Sequence, residues 1–320
     1  MSVPTVLVLT NSADVTSDFL CAKFKEAGII YVRYNTDIDC SRAIFLYKDT
    51  KPCLKWGSNH LYAEHVSSIV LRRPKPIELN TDMDRYTKEH TIGEWAEALE
   101  GFLAHIDQEA WINHPANNSM ASHKVEQLTR AKKCGLMVPL TIVTNDPISA
   151  EEFIRSQVSG VIVKPLASGF IEREDNDTII YTRLFEEQHF EILEQIRECP
   201  VMFQSRILKE IDVRVTVLDE TVVAVALQAG DTIETQRLDI RRDNMNGVNY
   251  TVIDIPASVE SSIKALLKSY NLRFGALDFG ITKTGEWFFF EINPNGQWAW
   301  LDICGDADIS DVFVSKLRNR

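Results

Sequence analysis

An α/β protein built from α+β modules is the fold class that the sequence predicts, on three observations. Two short apolar runs, Val6 to Thr10 and Ile30 to Tyr34, flank a helical segment, which is the βαβ pattern of a parallel sheet. A middle segment alternates short strands with loops and helices, which is typical of a small α+β module. Near the end, two aromatic-rich runs within residues 274–300 flank Thr284-Gly285, a pair that favours a hairpin turn.

The chain divides into three predicted domains. Its 320 residues exceed the usual length of a single domain. After the βαβ opening and a long helix, the sequence changes character between Trp111 and Ser119, and a new strand begins at Val201. We therefore expect an N-terminal α/β domain at 1–115, a central module at 116–200 and a C-terminal module at 201–320.

Composition and charge limit the classes of partner. The chain has 34 Lys and Arg residues against 46 Asp and Glu, a formal net charge of −12, so no excess of cations is available for nucleic acid. The six cysteines are scattered without zinc-site spacing, which indicates reduced thiols in a cytoplasmic protein. No apolar stretch has the length of a membrane span and no signal peptide is evident, so we expect a soluble protein without membrane contact.

The predicted hairpin would bring acidic side chains together. With Thr284-Gly285 as the loop, Asp278 lies opposite Glu291, and Asn293 shares the face of Glu291 because side chains alternate along a strand. Two neighbouring carboxylates repel each other and are costly to bury, so they require a cation. Oxygen ligands suit Mg²⁺, which commonly lies between carboxylates and nucleotide phosphates. The alternative is an ordinary hairpin whose carboxylates point to solvent.

Several positive residues lie where they could bind anions. Lys164 directly follows a strand of three β-branched residues, and Lys124 lies on a short helix, so either ammonium could hold a phosphate. Arg72 and Arg73 end another strand just before a proline and could clamp an anion together. For each of these residues the alternative is a charge that is simply exposed to solvent.

An extended link between two predicted strands could bind a nucleotide base. Its residues Gln204, Ser205, Arg206 and Ile207 would offer backbone N–H and C=O groups to an adenine edge. The Ile207 side chain would lie beneath the ring. This link therefore predicts an adenine site.

Two charged residues follow on one strand face. Asp212 and Arg214 are two positions apart, which places a carboxylate suited to ribose hydroxyls beside a guanidinium suited to phosphate. The alternative is an ion pair on the strand surface, which would contribute little stability. Arg241, after a polar loop, could add a second positive charge near the reacting centre.

Taken in chain order, these residues resemble the ATP-grasp superfamily. The series is a lysine, a strand ending in Lys-Pro, a glutamine-containing link, an Asp-x-Arg strand, a further arginine, an aspartate and Glu-x-Asn-Pro-Asn-Gly. The resemblance covers about Asn113 to Leu301, and the βαβ region looks like the pre-ATP-grasp domain that usually precedes this fold. Within the superfamily, Asp212-Val213-Arg214, Asp239-Ile240-Arg241 and the stretch from Glu291 to Trp298 look like the graspetide ligases, the microviridin-type maturases of ribosomal peptides.

The resemblance implies a role for each candidate. For the nucleotide it implies phosphate contacts from Lys124 and Lys164, adenine contacts from Gln204, Ser205, Arg206 and Ile207, and a ribose contact from Asp212. For the reaction it implies Mg²⁺ ligands Asp278, Glu291 and Asn293, stabilisation of the transferring phosphoryl group and the acyl phosphate by Arg214 and Arg241, and peptide docking by Arg72 and Arg73. The loop Leu166 to Phe170 holds one glycine where many ATP-grasp enzymes have a glycine-rich lid, so no individual contacts are implied for it.

The implied activity is ATP-dependent ligation on a ribosomally made precursor peptide with a leader and an acidic core. Asp or Glu side chains would be activated as acyl phosphates and joined to Ser or Thr as esters, or to Lys as amides. The leader would dock on the central module, against Leu184 to Arg197. Two alternatives stay open: a ligase that adds an amino acid or dipeptide to a small molecule or protein C-terminus, and a nucleotide-binding module without catalysis. The type of linkage and the oligomeric state, a homodimer included, also stay open.

Overall fold

Strands and helices alternate along most of the chain. The computed structural model describes residues 4–48, 50–79, 82–167, 169–171, 178–229 and 238–318, so part of the predicted loop 166–170 lies outside the described residues. The strands are β1 Thr5–Thr10, β2 Tyr31–Asn35, β3 Ala43–Lys48, β4 Lys51–Trp56, β5 Asn59–Tyr62, β6 Val66–Leu71, β7 Trp111–Ile112, β8 Thr141–Thr144, β9 Val161–Lys164, β10 Phe170–Ile171, β11 Thr178–Ile179, β12 Arg183–Leu184, β13 Val201–Ser205, β14 Lys209–Leu218, β15 Thr221–Gln228, β16 Asn249–Ile253, β17 Phe274–Thr282 and β18 Trp287–Asn293. The α-helices are α1 Val15–Glu26, α2 Arg85–Leu103, α3 Pro115–Ala121, α4 Lys124–Lys133, α5 Pro147–Ser156, α6 Ala257–Ser269, α7 Ala299–Gly305 and α8 Ile309–Leu317. The 3-10 helices are Cys40–Arg42, Ala63–His65, Gln108–Ala110, Glu187–Glu198 and Arg242–Met245.

The N-terminal sheet is parallel, which confirms the βαβ prediction. Its order is β2-β1-β6-β7, and every pair in it runs parallel. All six residues of β1 are buried, because helices cover one face of this sheet and α2 together with strands β4 and β5 covers the other. Leu20 and Phe24 of α1 contribute to the core on one of these faces.

A second, antiparallel sheet was not predicted from the sequence. Strands β3, β4 and β5 form it in chain order, and Leu54, Trp56 and Leu61 pack from it into the N-terminal core. The turn between β4 and β5 consists of Gly57 and Ser58, with Gly57 at a φ of 54°. A glycine followed by serine between apolar runs is a hairpin signal, so this sheet could have been predicted.

The central sheet has the order β12-β9-β13-β8, and its strands pair antiparallel. Helix α5 and the 3-10 helix Glu187–Glu198 cover it through a small core around Leu193 and Phe203. Because β13 pairs with both β8 and β9, a boundary at residue 200 would divide this sheet. Sheet membership favours a boundary after Ser205, and the division into three domains stays a prediction.

The C-terminal sheet carries the predicted hairpin at one edge. Its order is β16-β15-β14-β17-β18, all antiparallel. Helix α6 buries Ile263, Leu266 and Leu267 against the core of this sheet. Helices α7 and α8 return to pack against α1, so one core joins the two ends of the chain. None of the helices in the described parts combines the length and hydropathy of a membrane crossing.

One buried amide links the N-terminal sheet to the hairpin. The side chain of Asn113, just after β7, donates to the carbonyls of Phe274 at 2.8 Å and Pro294 at 3.0 Å. Its oxygen accepts from the backbone N–H groups of Arg273 at 2.8 Å and Phe274 at 2.9 Å. The first strand of the hairpin and the turn after the second are therefore tied to one residue.

We predict that Asn113→Ala lowers the free energy of unfolding by about 3 kcal/mol, because it leaves buried backbone groups without partners. The matched control is Asn117→Ala, which removes a surface hydrogen bond of 2.9 Å to the Asn271 carbonyl. This control should cost about 1 kcal/mol or less. Urea unfolding measures both changes, and equal losses in the two variants would contradict the prediction.

Candidate active site

A cavity of about 520 Å³ lies between the central sheet and the C-terminal sheet. Most of the residues that the sequence singles out line it: Lys124, Lys164, Gln204, Ser205, Arg206, Ile207, Asp212, Arg214, Arg241, Asp278 and Glu291. They come from α4, β9, β13, β14, β17, β18 and the segments beside them. The fold therefore brings distant parts of the chain to a single site.

The hairpin has the predicted pairing, although the loop differs from the prediction. Asp278 lies opposite Glu291, as expected. The turn, however, contains Lys283 as well as Thr284 and Gly285, since Gly285 N–H donates to the Thr282 carbonyl at 2.9 Å and Gly285 has a φ of 83°. This extra residue shifts the register by one.

A bulge restores the predicted pairing farther along the hairpin. Phe279 pairs with Phe289, whereas Asp278 pairs with Glu291, so Phe290 is an additional residue in β18. A bulge places two consecutive residues against one partner, and here Phe290 and Glu291 both face the cavity. Gly280 makes room for this arrangement, because a Cβ there would lie 2.8 Å from the Phe290 ring.

The facing carboxylates differ in electrostatic environment. Burial raises the pKa of Asp278 to about 6, Glu291 adds to this effect, and Arg214 opposes it from 2.9 Å. Burial also disfavours the charged form of Glu291, but Lys124, with its Nζ 3.8 Å from Glu291 Oε2, and the hydrogen bond from Asn293 lower the pKa overall. Asn293 Nδ2 donates to Glu291 Oε1 at 3.2 Å. The pair therefore holds one firmly ionised carboxylate beside one that is costly to ionise.

Lysine side chains line the neighbouring wall of the cavity. Lys124 donates to the Pro165 carbonyl at 2.9 Å, and Lys164 donates to Gln204 Oε1 at 3.1 Å. The Lys164 ammonium lies 4.8 Å from the centre of the Phe290 ring. Burial lowers the pKa of Lys164 to about 8, so this lysine loses its charge at a lower pH than a solvated one.

The link Gln204 to Ile207, predicted to bind adenine, is partly hydrogen-bonded to segments of the central module. Ser205 N–H donates to the Leu140 carbonyl at 2.8 Å, and Arg206 N–H donates to the Gly160 carbonyl at 2.9 Å. The Gln204 side chain also donates to the Thr141 hydroxyl at 2.9 Å. These groups are therefore not available to an adenine edge, although the link lines the cavity as predicted.

Asp212 and Arg214 share one face of β14, and both reach the cavity. Asp212 forms an ion pair with Lys209, a residue that the sequence analysis missed. Burial raises the pKa of Asp212, and Lys209 opposes that effect. Lys209 faces Asp212 because the pairing of β14 with β17 shifts between Lys209 and Ile211. Regular alternation would place residues three apart on opposite faces, so no sequence pattern indicates this contact.

Arg241 is held by a buried acid. Its guanidinium donates to the Asp239 carboxylate in two hydrogen bonds of 2.8 and 2.6 Å. Burial disfavours ionisation of Asp239, but these bonds, the attraction of Arg241 and a bond from Thr182 N–H lower its pKa to about 2. Asp239 therefore holds Arg241 at the cavity. The spacing of Asp239-Ile240-Arg241 in the sequence indicates this ion pair.

Arg72 and Arg73 lie outside the residues that line this cavity. Arg72 is 2% exposed, and its guanidinium donates to the Gly296 carbonyl at 2.9 Å and to Gln297 Oε1 at 3.0 Å. Arg73 is exposed. The structure does not bring them together as an anion clamp: Arg72 is buried between protein groups, so we do not retain its predicted role in substrate docking.

Comparison with known proteins identifies the fold. The family model of the MvdD pre-ATP grasp domain matches residues 5–119. The Chryseobacterium gregarium RiPP-associated ATP-grasp ligase, solved with ADP and a leader and core peptide, is 27% identical, with a TM-score of 0.87 over 98% of this chain and 96% of that chain. The macrocyclase MdnB from Microcystis aeruginosa MRC is 27% identical, with a TM-score of 0.79 over 98% of each chain.

The chain has the ATP-grasp fold and is similar to ATP-grasp ligases of the graspetide-maturase group. The macrocyclase MdnC of Microcystis aeruginosa MRC, bound with precursor peptide MdnA, has the same fold: it is 24% identical, with a TM-score of 0.84 over 99% of this chain and 100% of that chain. No curated protein shows a significant match. The predicted ATP-grasp fold with its pre-ATP-grasp domain is confirmed.

ATP and Mg²⁺ are the cofactors of this ligase group, and the site fits a metal ion. The described residues contain no cluster of three or more His, Cys, Asp or Glu side chains that could hold a metal by themselves. Two facing carboxylates with an amide beside them instead match Mg²⁺, which takes few protein ligands and completes its shell with phosphates and water. Burial, more than its neighbour Glu291, raises the pKa of Asp278, and a bound cation would favour the ionised form.

We predict that the affinity for Mg²⁺–ADP falls as the pH rises through about 8, because Lys164 then loses the charge that would attract phosphate. The loss should approach tenfold for each pH unit above that pKa. Lys164→Arg should remove this dependence, since a guanidinium stays charged throughout the range. Calorimetric titrations between pH 7 and 9.5 measure the effect. An affinity that stays constant over this range in the wild-type protein would contradict the prediction.

Proposed function

We propose that this ligase activates Asp or Glu side chains of a ribosomally made precursor peptide as acyl phosphates and closes macrocyclic ester or amide crosslinks. The observation that carries the proposal is the ring of cations around the facing carboxylates, formed by Lys124, Lys164, Arg214 and Arg241. A cavity with this charge distribution suits a nucleoside triphosphate and an acidic peptide side chain at the same time. The similarity to a ligase solved with ADP and a leader and core peptide supports the same reading.

The reaction proceeds in two steps. In the first, an oxygen of the peptide carboxylate forms a bond to the γ-phosphorus of ATP, the bond from that phosphorus to the β–γ bridging oxygen breaks, and ADP leaves. In the second, a Ser or Thr hydroxyl or a Lys amine of the peptide forms a bond to the acyl carbon, and the bond from that carbon to the phosphorylated oxygen breaks. Phosphate leaves, and the proton of the nucleophile passes to phosphate or solvent.

The residues of the chain contribute position and charge to both steps. Lys124 and Lys164 would hold the phosphates, and Arg214 and Arg241 would stabilise the charge on the transferring phosphoryl group and the acyl phosphate. Asp278, Glu291 and Asn293 would hold Mg²⁺, which neutralises phosphate charge when bound. Asp239 holds Arg241 through two hydrogen bonds, and Asp278 forms an ion pair with Arg214.

Further proposals concern the peptide and the assembly. The leader would dock against Leu184 to Arg197, which begins in β12 and continues through most of the 3-10 helix beside it. A location in the cytoplasm, where ATP and nascent peptides coexist, and a homodimer are also proposed. Light scattering of the purified protein tests the second of these.

The function is tested by expressing the chain with a short peptide encoded near its gene that has a Thr/Ser-rich and Asp/Glu-rich core. The proposal expects the peptide to lose the mass of one water per crosslink, with release of ADP. A mass gain equal to an added amino acid would support instead a ligase that extends its substrate. No ADP release above background, with Mg²⁺, ATP and peptide all present, would support a binding module without catalysis.

We predict that Glu291→Gln lowers turnover by about 100-fold or more while the protein stays folded, since it removes a charge that would hold the metal. The matched control is Glu286→Gln in the same hairpin, because Glu286 is exposed and bonds to Thr284 in the turn at 2.8 Å. This control should keep turnover close to the wild-type value. ADP release and circular dichroism measure both variants, and wild-type turnover in Glu291→Gln would show that the metal site is wrong.

A further inference from the structure

The segment after the hairpin forms a tight turn that begins at Asn293. Gly296 N–H donates to the Asn293 carbonyl at 3.1 Å, which closes a turn with Pro294 at its second position. Gly296 lies so close to β17 that a Cβ there would be 2.4 Å from the Cβ of Ala276. The turn is therefore packed against the strand beside Asp278, and its position determines the direction in which Asn293 leaves β18.

The N-terminal domain holds this turn through Arg72. The guanidinium, at the end of β6, donates to the Gly296 carbonyl at 2.9 Å and to Gln297 Oε1 at 3.0 Å. The hydroxyl of Thr16, at the start of α1, donates to the same Gln297 oxygen. Two elements of the N-terminal domain thus meet at Gln297.

Arg72 is itself fixed on its other side. Its Nε lies 3.6 Å from Asp14 Oδ2, and the Asp14 side chain is fully buried. Asp14 in turn accepts hydrogen bonds from Thr10 at 2.8 Å and Ser17 at 2.6 Å. The guanidinium is therefore oriented by a buried carboxylate and presents its two terminal nitrogens to the turn.

We propose that Arg72 is a positioning residue for the Mg²⁺ site: it holds the Gly296–Gln297 backbone so that Asn293 and Glu291 keep the geometry that binds the metal. This inference rests on the metal site proposed above, but not on the identity of the peptide. Asn293 donates to Glu291 Oε1 at 3.2 Å, so a movement of the turn would change the orientation of both residues. Loss of a residue that orients metal ligands typically lowers metal affinity about 10- to 100-fold.

The geometry requires a guanidinium and not merely a positive charge. Arg72 makes two hydrogen bonds in different directions while it remains near Asp14, which suits the planar fork of arginine. A lysine at this position would keep the charge beside Asp14 but could not span both acceptors. Arg72→Lys therefore disturbs the position of the turn while it keeps a positive charge beside Asp14.

The test is a titration of Mg²⁺ into purified full-length protein with ADP, followed by calorimetry, together with a titration of ADP in the absence of metal. For Arg72→Lys we expect the Mg²⁺ affinity to fall by roughly 10- to 100-fold. The affinity for metal-free ADP should stay within about twofold of wild type, because Lys124, Lys164 and the link Gln204 to Ile207 are untouched. A general loss of structure would lower both affinities together.

The matched control is Arg33→Lys, which changes an arginine of β2 that donates to the Asn11 carbonyl at 2.9 Å and does not touch the turn. Its Mg²⁺ affinity should equal that of the wild type.

Should Arg72→Lys fail to fold, Gln297→Leu decides the question, because it removes the acceptor at the other end of the contact. In a double variant the two changes should lower the affinity no more than either does alone.

Two results would overturn the inference. One is a folded Arg72→Lys, or Gln297→Leu in its place, whose Mg²⁺ affinity remains within about twofold of wild type. The other is an equal loss of Mg²⁺ and metal-free ADP affinity. A wild-type protein whose ADP binding does not depend on Mg²⁺ would contradict the metal site and this inference with it, whereas a failure confined to Arg72→Lys contradicts only the inference.

Discussion

Repulsion between the facing carboxylates of Asp278 and Glu291 is the constraint on which the arrangement of the site depends. Two half-buried negative charges on adjacent strands are unfavourable unless positive charge surrounds them. The chain supplies part of that charge through Arg214 and Lys124, which contact one carboxylate each. Burial keeps the pKa of Asp278 raised, at about 6, despite Arg214, so a further cation would complete the charge balance. Within our proposal, Mg²⁺ and the phosphates it accompanies complete it.

Irregular strand pairing in β18 and β14 shapes the cavity around Asp278 and Glu291. The bulge at Phe290 turns an aromatic ring and Glu291 toward the same side, and the ring then lies beneath the ammonium groups of Lys164 and Lys209 at 4.8 and 5.8 Å. The shift in β14 beside Lys209 brings that lysine to Asp212. Bulges redirect side chains without interrupting the sheet, and here they gather charges on one face. The C-terminal sheet thus serves both as scaffold and as the wall of the site.

Much of the fold and site could be predicted from the sequence, because alternation and chain order carry that information. The parallel opening and the cavity position of Lys164 at the end of its strand follow from strand patterns. The Asp278–Glu291 pairing was predicted from a two-residue loop, yet it arises from a three-residue loop compensated by a bulge. The register shift caused by the longer loop and the opposite shift caused by the bulge, neither of them predicted, cancel each other.

Other features could not be predicted, for physical reasons. Lys209 joins the site through a strand irregularity that no periodicity reveals. Arg72 looks like a surface clamp in the sequence, because its burial depends on a contact with Gly296 that is 224 positions away. The commitment of Ser205 and Arg206 N–H groups to neighbouring strands likewise depends on tertiary pairing. Local sequence indicates which residues carry charge, whereas the fold decides which of them face the cavity.

The measurement that tests this account most directly is anomalous diffraction from crystals grown with Mn²⁺ in place of Mg²⁺ and with ADP. We predict a manganese peak bound by the carboxylates of Asp278 and Glu291, which line the cavity, and by the amide oxygen of Asn293 beside Glu291. A peak coordinated only by the nucleotide, or one located away from these three residues, would contradict the claim that the hairpin is the metal clamp.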